Sequence, residues 1–119
     1  MLAGCGSIKP LVVVLSNSPY SLGNDGVVQL NVWDNYPPEA GPHRYMGMMT
    51  LTVTGRNWSI PVTAGYAEIP IPSNWQEMEI NVVEWYNRYG YRLRPFSFRV
   101  KTPRGDVIHD ISVDSSRPR

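Results

Sequence analysis

The chain has 119 residues, a net charge of +1, 18% charged side chains and 42% apolar ones. That length holds one domain with a real core but not two, and the composition suits a folded globular chain rather than a disordered one. Near-zero net charge gives no basis for a nucleic-acid binder that uses its whole surface, the single cysteine excludes an internal disulfide, and no apolar run approaches the roughly 18 residues of a membrane-spanning helix.

Eleven prolines and ten glycines, beside four tryptophans and seven tyrosines, favour short strands and turns. No window of ten or more residues free of Pro and Gly carries the i, i+3, i+4, i+7 apolar spacing of a helix, so helix content is expected to be very low. Residues 1–10 read as an N-terminal arm. Residues 11–15 (LVVVL) form a short β-branched run, the pattern of a strand buried on both faces. Residues 16–26 cluster Pro, Gly, Asn and Asp without periodicity and read as loop. Residues 27–33 alternate, with Val28, Leu30 and Val32 on one face and Gln29, Asn31 and Trp33 on the other.

Residues 34–45 make the longest irregular stretch, because Pro37, Pro38 and Pro42 forbid regular ladder hydrogen bonds. Such a stretch is either a stiff exposed connection or a binding loop. Residues 46–54 are expected to be a strand with Met49, Leu51 and Val53 inward and Thr50, Thr52 and Thr54 outward. A turn at 55–57 leads into a short strand at 58–62, whose Pro61 fits a sheet edge. Another short strand follows at 66–71, then a turn at 72–75. Residues 77–101 read as a hairpin: Met78, Ile80 and Val82 alternate with Glu79, Asn81 and Val83, and Phe96, Phe98 and Val100 alternate with Ser97, Arg99 and Lys101. Between the two runs, Tyr86-Asn87-Arg88-Tyr89-Gly90 supplies the Asn and Gly that a tight turn needs. Val107, His109, Ile111 and Val113 share the face of a last strand before a polar tail. Strands at this spacing, divided by turn signals, are those of an all-β sandwich.

Residues 63–70 (TAGYAEIP) resemble the Gly-x-Ala-x-Ile/Phe strand of bacterial immunoglobulin-like domains, and residues 18–32 resemble their first loop and second strand. Residues 80–100 look like their terminal hairpin, a strand, an Asn/Gly turn and a P-x-S-F-x-V strand in succession. The resemblance implies an immunoglobulin-like β-sandwich of about seven strands at residues 11–102, with residues 103–119 as an extra C-terminal strand or arm. It also implies a module of bacterial surface proteins or bacteriophage virions that serves adhesion, decoration or spacing rather than catalysis. Separately, Leu2-Ala3-Gly4-Cys5 resembles the lipobox of bacterial lipoproteins, and on that alternative reading the resemblance implies lipidation at Cys5. A leader needs an apolar stretch of about 7–15 residues, and only four residues precede Cys5, so this alternative requires coding sequence upstream.

Residues suited to chemistry are sparse. His43 falls in the proline-rich stretch and His109 on a half-buried strand face, and no H-x-H or C-x-x-C spacing suggests a metal. Asn24-Asp25 and Asp34-Asn35 could offer oxygens to Ca²⁺, but these residue types more often shape turns. No enzyme, cofactor or metal site is therefore expected. Charge, by contrast, is segregated. Residues 85–105 hold six basic side chains (Arg88, Arg92, Arg94, Arg99, Lys101, Arg104) and no acidic one, interleaved with Trp85, Tyr86, Tyr89 and Tyr91. Arg and Tyr are enriched at interface hot spots, so Arg88, Tyr89, Tyr91, Arg92 and Arg94 are expected to bind a protein partner. The competing readings are a solvated face with arginine stems over tyrosine rings, and contact with nucleic acid or glycan by stacking.

These expectations combine into a non-enzymatic structural module located on a bacteriophage virion, a capsid decoration or cement subunit. Its partners are then capsid or other virion proteins or further copies of this chain, with no nucleic acid and no transmembrane segment. The alternatives are an exported bacterial lipoprotein in the envelope, and a carbohydrate-binding module with Trp33, Trp58, Trp75 or Trp85 as its platform.

Overall fold

Period-two alternation of apolar and polar side chains carries through to eight strands in the computed structural model, which describes residues 24–103 and 105–116. They are β1 (Asn24–Asp34), β2 (His43–Arg44), β3 (Met49–Val53), β4 (Ile60–Val62), β5 (Tyr66–Pro72), β6 (Glu77–Trp85), β7 (Phe96–Lys101) and β8 (Val107–Val113), with one 3-10 turn among the described residues, at Pro38–Ala40. Two four-stranded sheets form an all-β sandwich. The strand expected at residues 11–15, the N-terminal arm with Cys5, and Arg104 lie outside the described residues.

One sheet is built on β1. It pairs antiparallel with β5 from Asn24 to Asn31, and with β2 at Trp33 and Asp34. On its other edge it pairs in parallel with β8, from Val28–Val107 through Asp34–Val113. The second sheet runs in the order β4-β3-β6-β7, with every pair antiparallel. β7 ends in one sheet and β8 lies in the other, so the chain changes sheets between them. A parallel pair needs a crossover of this kind, since no tight turn can make one.

The core is what the alternation dictates. Val28, Leu30 and Val32 of β1 face Met49, Leu51 and Val53 of β3 and Met78, Ile80 and Val82 of β6, all buried within one cluster. Each fully buried Val, Leu or Ile contributes about 1.5–3 kcal/mol by leaving water. An aromatic row runs through this interior. Tyr45 meets Trp85 edge-on at 5.8 Å between ring centroids, Trp85 meets Phe96 at 5.7 Å, and Phe98 stacks on His109 of the opposite sheet at 5.6 Å. His109 thus takes the half-buried position expected of it.

Several boundaries differ from the sequence reading. Asn24-Asp25-Gly26, taken as turn formers, are the first residues of β1, where pairing to β5 overrides their turn preference and the register shifts between Asn24 and Val27. The irregular stretch 34–45 contains the short β2. Its Asp34 is buried, with Oδ1 accepting from the amides of Tyr36 and Ser115 at 3.0 and 3.1 Å, and Oδ2 from the Ser115 hydroxyl. Those bonds tie the end of β8 to the end of β1, so Asp34 is a structural staple. β3 starts at Met49 rather than Met46, and β4 is only three residues long, with Pro61 exposed on the sheet edge as expected.

Candidate functional site

Residues 86–95 link β6 to β7 and carry Arg88, Tyr89, Tyr91, Arg92 and Arg94, the side chains expected to bind a partner. The Asn/Gly turn sits where the sequence places it, but the strands do not run up to it. Only one isolated bridge, Tyr86 to Arg92, spans the segment. Its shape is fixed instead by buried anchors. The Asn87 side chain is buried and its Oδ1 accepts from the amides of Tyr89 and Tyr91 at 2.9 and 3.1 Å. The Gly90 amide donates to the Asn87 carbonyl at 3.0 Å, with Gly90 at φ +86°, a conformation that disfavours a side chain. Leu93 is buried and its amide donates to the Trp85 carbonyl at 2.8 Å, while the Trp85 indole donates to the Arg94 carbonyl at 2.8 Å.

A second segment, residues 46–48, lies against the first. The hydroxyl of the buried Tyr45 shares its hydrogen between the carbonyls of Met48, at 2.7 Å, and Tyr86. The Tyr86 amide also donates to the Met48 carbonyl at 3.0 Å. Burial pushes the Tyr45 hydroxyl up to about 12, so it stays protonated and able to donate at neutral pH. Gly47 is required by the close approach: a Cβ there would collide with the Tyr86 carbonyl and the Tyr45 ring.

Together the two segments enclose an open groove of about 550 Å³ lined by Met46, Met48, Glu84, Tyr86, Asn87 and Arg88 with two glycines. Met46 and Met48 are 69% and 73% exposed, and Tyr89 and Tyr91 beyond the groove are 65% and 43% exposed. Arg88, Arg92 and Arg94 are exposed on the same segment. All five residues expected to bind a partner therefore lie on one surface segment. The methionines were missed because residues 46–54 read as a single strand. Two outward positions, Met46 and Met48, flanking a glycine were the available signal.

The six-residue basic run is narrowed by its partners. Arg99 pairs with Glu77 at 3.2 Å across β6 and β7, Lys101 lies opposite Glu77 in register, and Arg104 lies outside the described residues. Arg88 lies 5.6 Å from the Tyr89 ring centroid. Among the described residues, Arg88, Arg92 and Arg94 make no ion pair. Glu84, the acidic group of the groove, accepts from the Tyr86 hydroxyl at 2.8 Å. That bond raises the Tyr86 hydroxyl above the ordinary tyrosine range.

The tryptophans named as a glycan platform are dispersed. Trp85 is buried in the core. Trp33 has the Arg44 guanidinium 4.4 Å from its ring centroid and donates to Asp110 at 3.1 Å. Trp58 and Trp75 stand near each other at a separate cluster, with Arg56 5.9 and 5.2 Å from their centroids. His43 contacts its own loop, with Nδ1 3.0 Å from the Gly41 carbonyl. Among the described residues no three His, Cys, Asp or Glu side chains gather as metal ligands, and no helix is long and apolar enough to cross a membrane. No family model, curated protein or solved structure matches this chain.

Proposed function

We propose that this protein is a non-enzymatic structural module that docks on a larger protein assembly through residues 86–95. The observation that carries the reading is three arginines without ion pairs among the described residues, beside exposed Tyr89, Tyr91, Met46 and Met48, on a segment anchored by Asn87, Leu93 and Trp85. Rigid presentation lowers the entropic cost of binding, and an Arg–Tyr surface combines contact area with directional hydrogen bonds. Both sheet faces offer less. On the β3–β6–β7 face, Asn81 donates to Thr52 and Thr54 and accepts from Ser97, so its polar groups are already partnered. On the β1 face, Arg44 is bonded to Asn31 and Tyr66 to Glu68.

Immunoglobulin-like modules of the kind that the sequence resembles occur on bacterial surface proteins and on bacteriophage virions, and of the two we favour a virion, on which the protein acts as a capsid decoration or cement subunit. The test is charge reversal, Arg92→Glu with Arg94→Glu, followed by particle purification. The variant is expected to keep the wild-type melting temperature and to be missing from particles that carry the wild-type protein. Wild-type incorporation of the variant overturns the site, and absence of the wild-type protein from particles overturns the virion assignment.

A further inference from the structure

We infer that the groove between residues 46–48 and 86–90 takes an apolar side chain from an acidic segment of the partner protein. This rests on the docking reading above and specifies what the surface recognises. The floor and walls are suited to an aliphatic or aromatic anchor. Met46 and Met48 are unbranched and polarizable, and such side chains adapt to the shape of what they cover. The Tyr86 ring adds a flat apolar wall, and its hydroxyl is turned to Glu84.

The rim sets the charge of what flanks the anchor. Arg88 lines the groove, and Arg92 pairs with Tyr86 across the segment, close enough for its charge to act on the Tyr86 hydroxyl. Arg94 follows two residues on. Against these three positive groups the groove holds one carboxylate, Glu84, already engaged by Tyr86. Complementarity therefore calls for Asp or Glu on either side of the inserted side chain. A nucleic-acid strand would satisfy the arginines through its phosphates but leave the methionine walls without an apolar partner. That mismatch favours a protein segment.

The groove is also a stable feature rather than a gap between mobile loops. Tyr45 bonds both of its sides from below, and Gly47 lets the methionine segment lie directly on the Tyr86 carbonyl. An anchor inserted there meets preformed walls, which is the condition for a strong central contact.

The test pans a display library of random twelve-residue peptides against the full chain, with an oligothymidine of twenty nucleotides as a parallel probe. Recovered peptides are expected to share one Leu, Ile, Met or Phe flanked by Asp or Glu. A synthetic consensus peptide, followed by fluorescence anisotropy, is expected to lose at least tenfold in affinity with Met46→Asp or Met48→Asp. Replacing its apolar residue by Ser should cost the wild-type protein a similar factor but cost Met48→Asp little more, the signature of direct coupling. Both methionines are exposed, so an unchanged melting curve confirms that the variants fold. Loss of binding with Arg92→Glu and Arg94→Glu, but not with either methionine variant, overturns the groove and leaves the docking segment standing. Binding indifferent to all four substitutions overturns both, as does recovery of no peptide. Tighter binding of the oligothymidine than of any peptide overturns the protein partner in favour of a nucleic acid.

Discussion

Tyr45 is the residue on which the candidate site depends most, since its single hydroxyl joins the two segments that form the groove. A buried hydroxyl with good acceptors contributes about 1 kcal/mol net, and its loss leaves the acceptors short of a partner for about 1–3 kcal/mol. Tyr45→Phe keeps the ring and its edge contact with Trp85, so it isolates that term. The expected outcome is a loss of about 1–3 kcal/mol in urea denaturation, with the binding surface loosened more than the core. The same group makes stability depend on pH. Its hydroxyl is raised from 10.0 in the unfolded chain to about 12 in the fold, chiefly by burial, and Tyr66 is raised to about 12 by burial and its bond to Glu68. A raised folded value means the fold holds the proton more tightly, so this contribution is complete below pH 10 and is lost as pH rises towards 12. Urea midpoints should stay level up to pH 10 and fall between 10 and 12, and the fall should be shallower in Tyr45→Phe. An identical fall in that variant would show that Tyr45 is not the group responsible.

At the scale of elements, β6 shows what alternation can and cannot reveal. From Met78 to Val82 the period-two pattern gives the inward set correctly. Continued one step further it turns Glu84 into the core and Trp85 out to solvent, where a glycan platform at Trp85 would need it. The structure reverses that phase. Thr50 of β3 pairs with Glu84 and the adjacent Leu51 with Val82, so Val83 is an extra, unpaired residue. A bulge of this kind is set by tertiary pairing and leaves no mark in the local pattern. The same limit hid β2, whose two residues pair only because Tyr45 and Gly65 bring the backbone to Val32. The C-terminal strand was legible, since Val107, His109, Ile111 and Val113 share one face, but its parallel pairing with β1 depends on a crossing that no local signal encodes. Deleting Val83 removes the unpaired residue, and strict alternation from Val82 then keeps Glu84 outward and Trp85 inward. The buried aromatic, whose loss would cost about 3–5 kcal/mol, is thereby retained, and no carboxylate is driven into the core. Against a stability of about 5–15 kcal/mol for a domain of ordinary size, the deletion should therefore keep cooperative thermal unfolding. A variant without a cooperative unfolding transition would mean that the bulge itself is required, beyond the inward placement of Trp85.

For the molecule as a whole, the distribution of charge matters more than its sum. A net charge of +1 hides a segment whose Arg88, Arg92 and Arg94 make no ion pair among the described residues, while Arg99 of the adjacent sheet face is held by Glu77. The local field at residues 86–95 therefore remains positive although the chain is close to neutral. Such a field acts mainly on the rate of encounter with an acidic partner, because it orients the approaching surfaces before they touch. Screening shortens its reach from about 10 Å at 0.1 M salt to about 3 Å at 1 M. Association with the isolated assembly, followed by surface plasmon resonance, should slow by about tenfold or more over that range, whereas dissociation, governed by the methionine groove and the tyrosines, should change much less. Replacing Arg92 or Arg94 by Gln should flatten the salt dependence of the association rate. Arg99→Gln provides the internal control, because it removes one charge of the same sign while breaking only an exposed pair whose contribution is about 0–1 kcal/mol. If Arg99→Gln flattens the dependence as much as Arg92→Gln, the steering field belongs to the whole basic run and the distinction drawn from the ion pairs fails. If it leaves the dependence unchanged, the encounter surface is confined to the end of the sandwich where the arginines flank the groove.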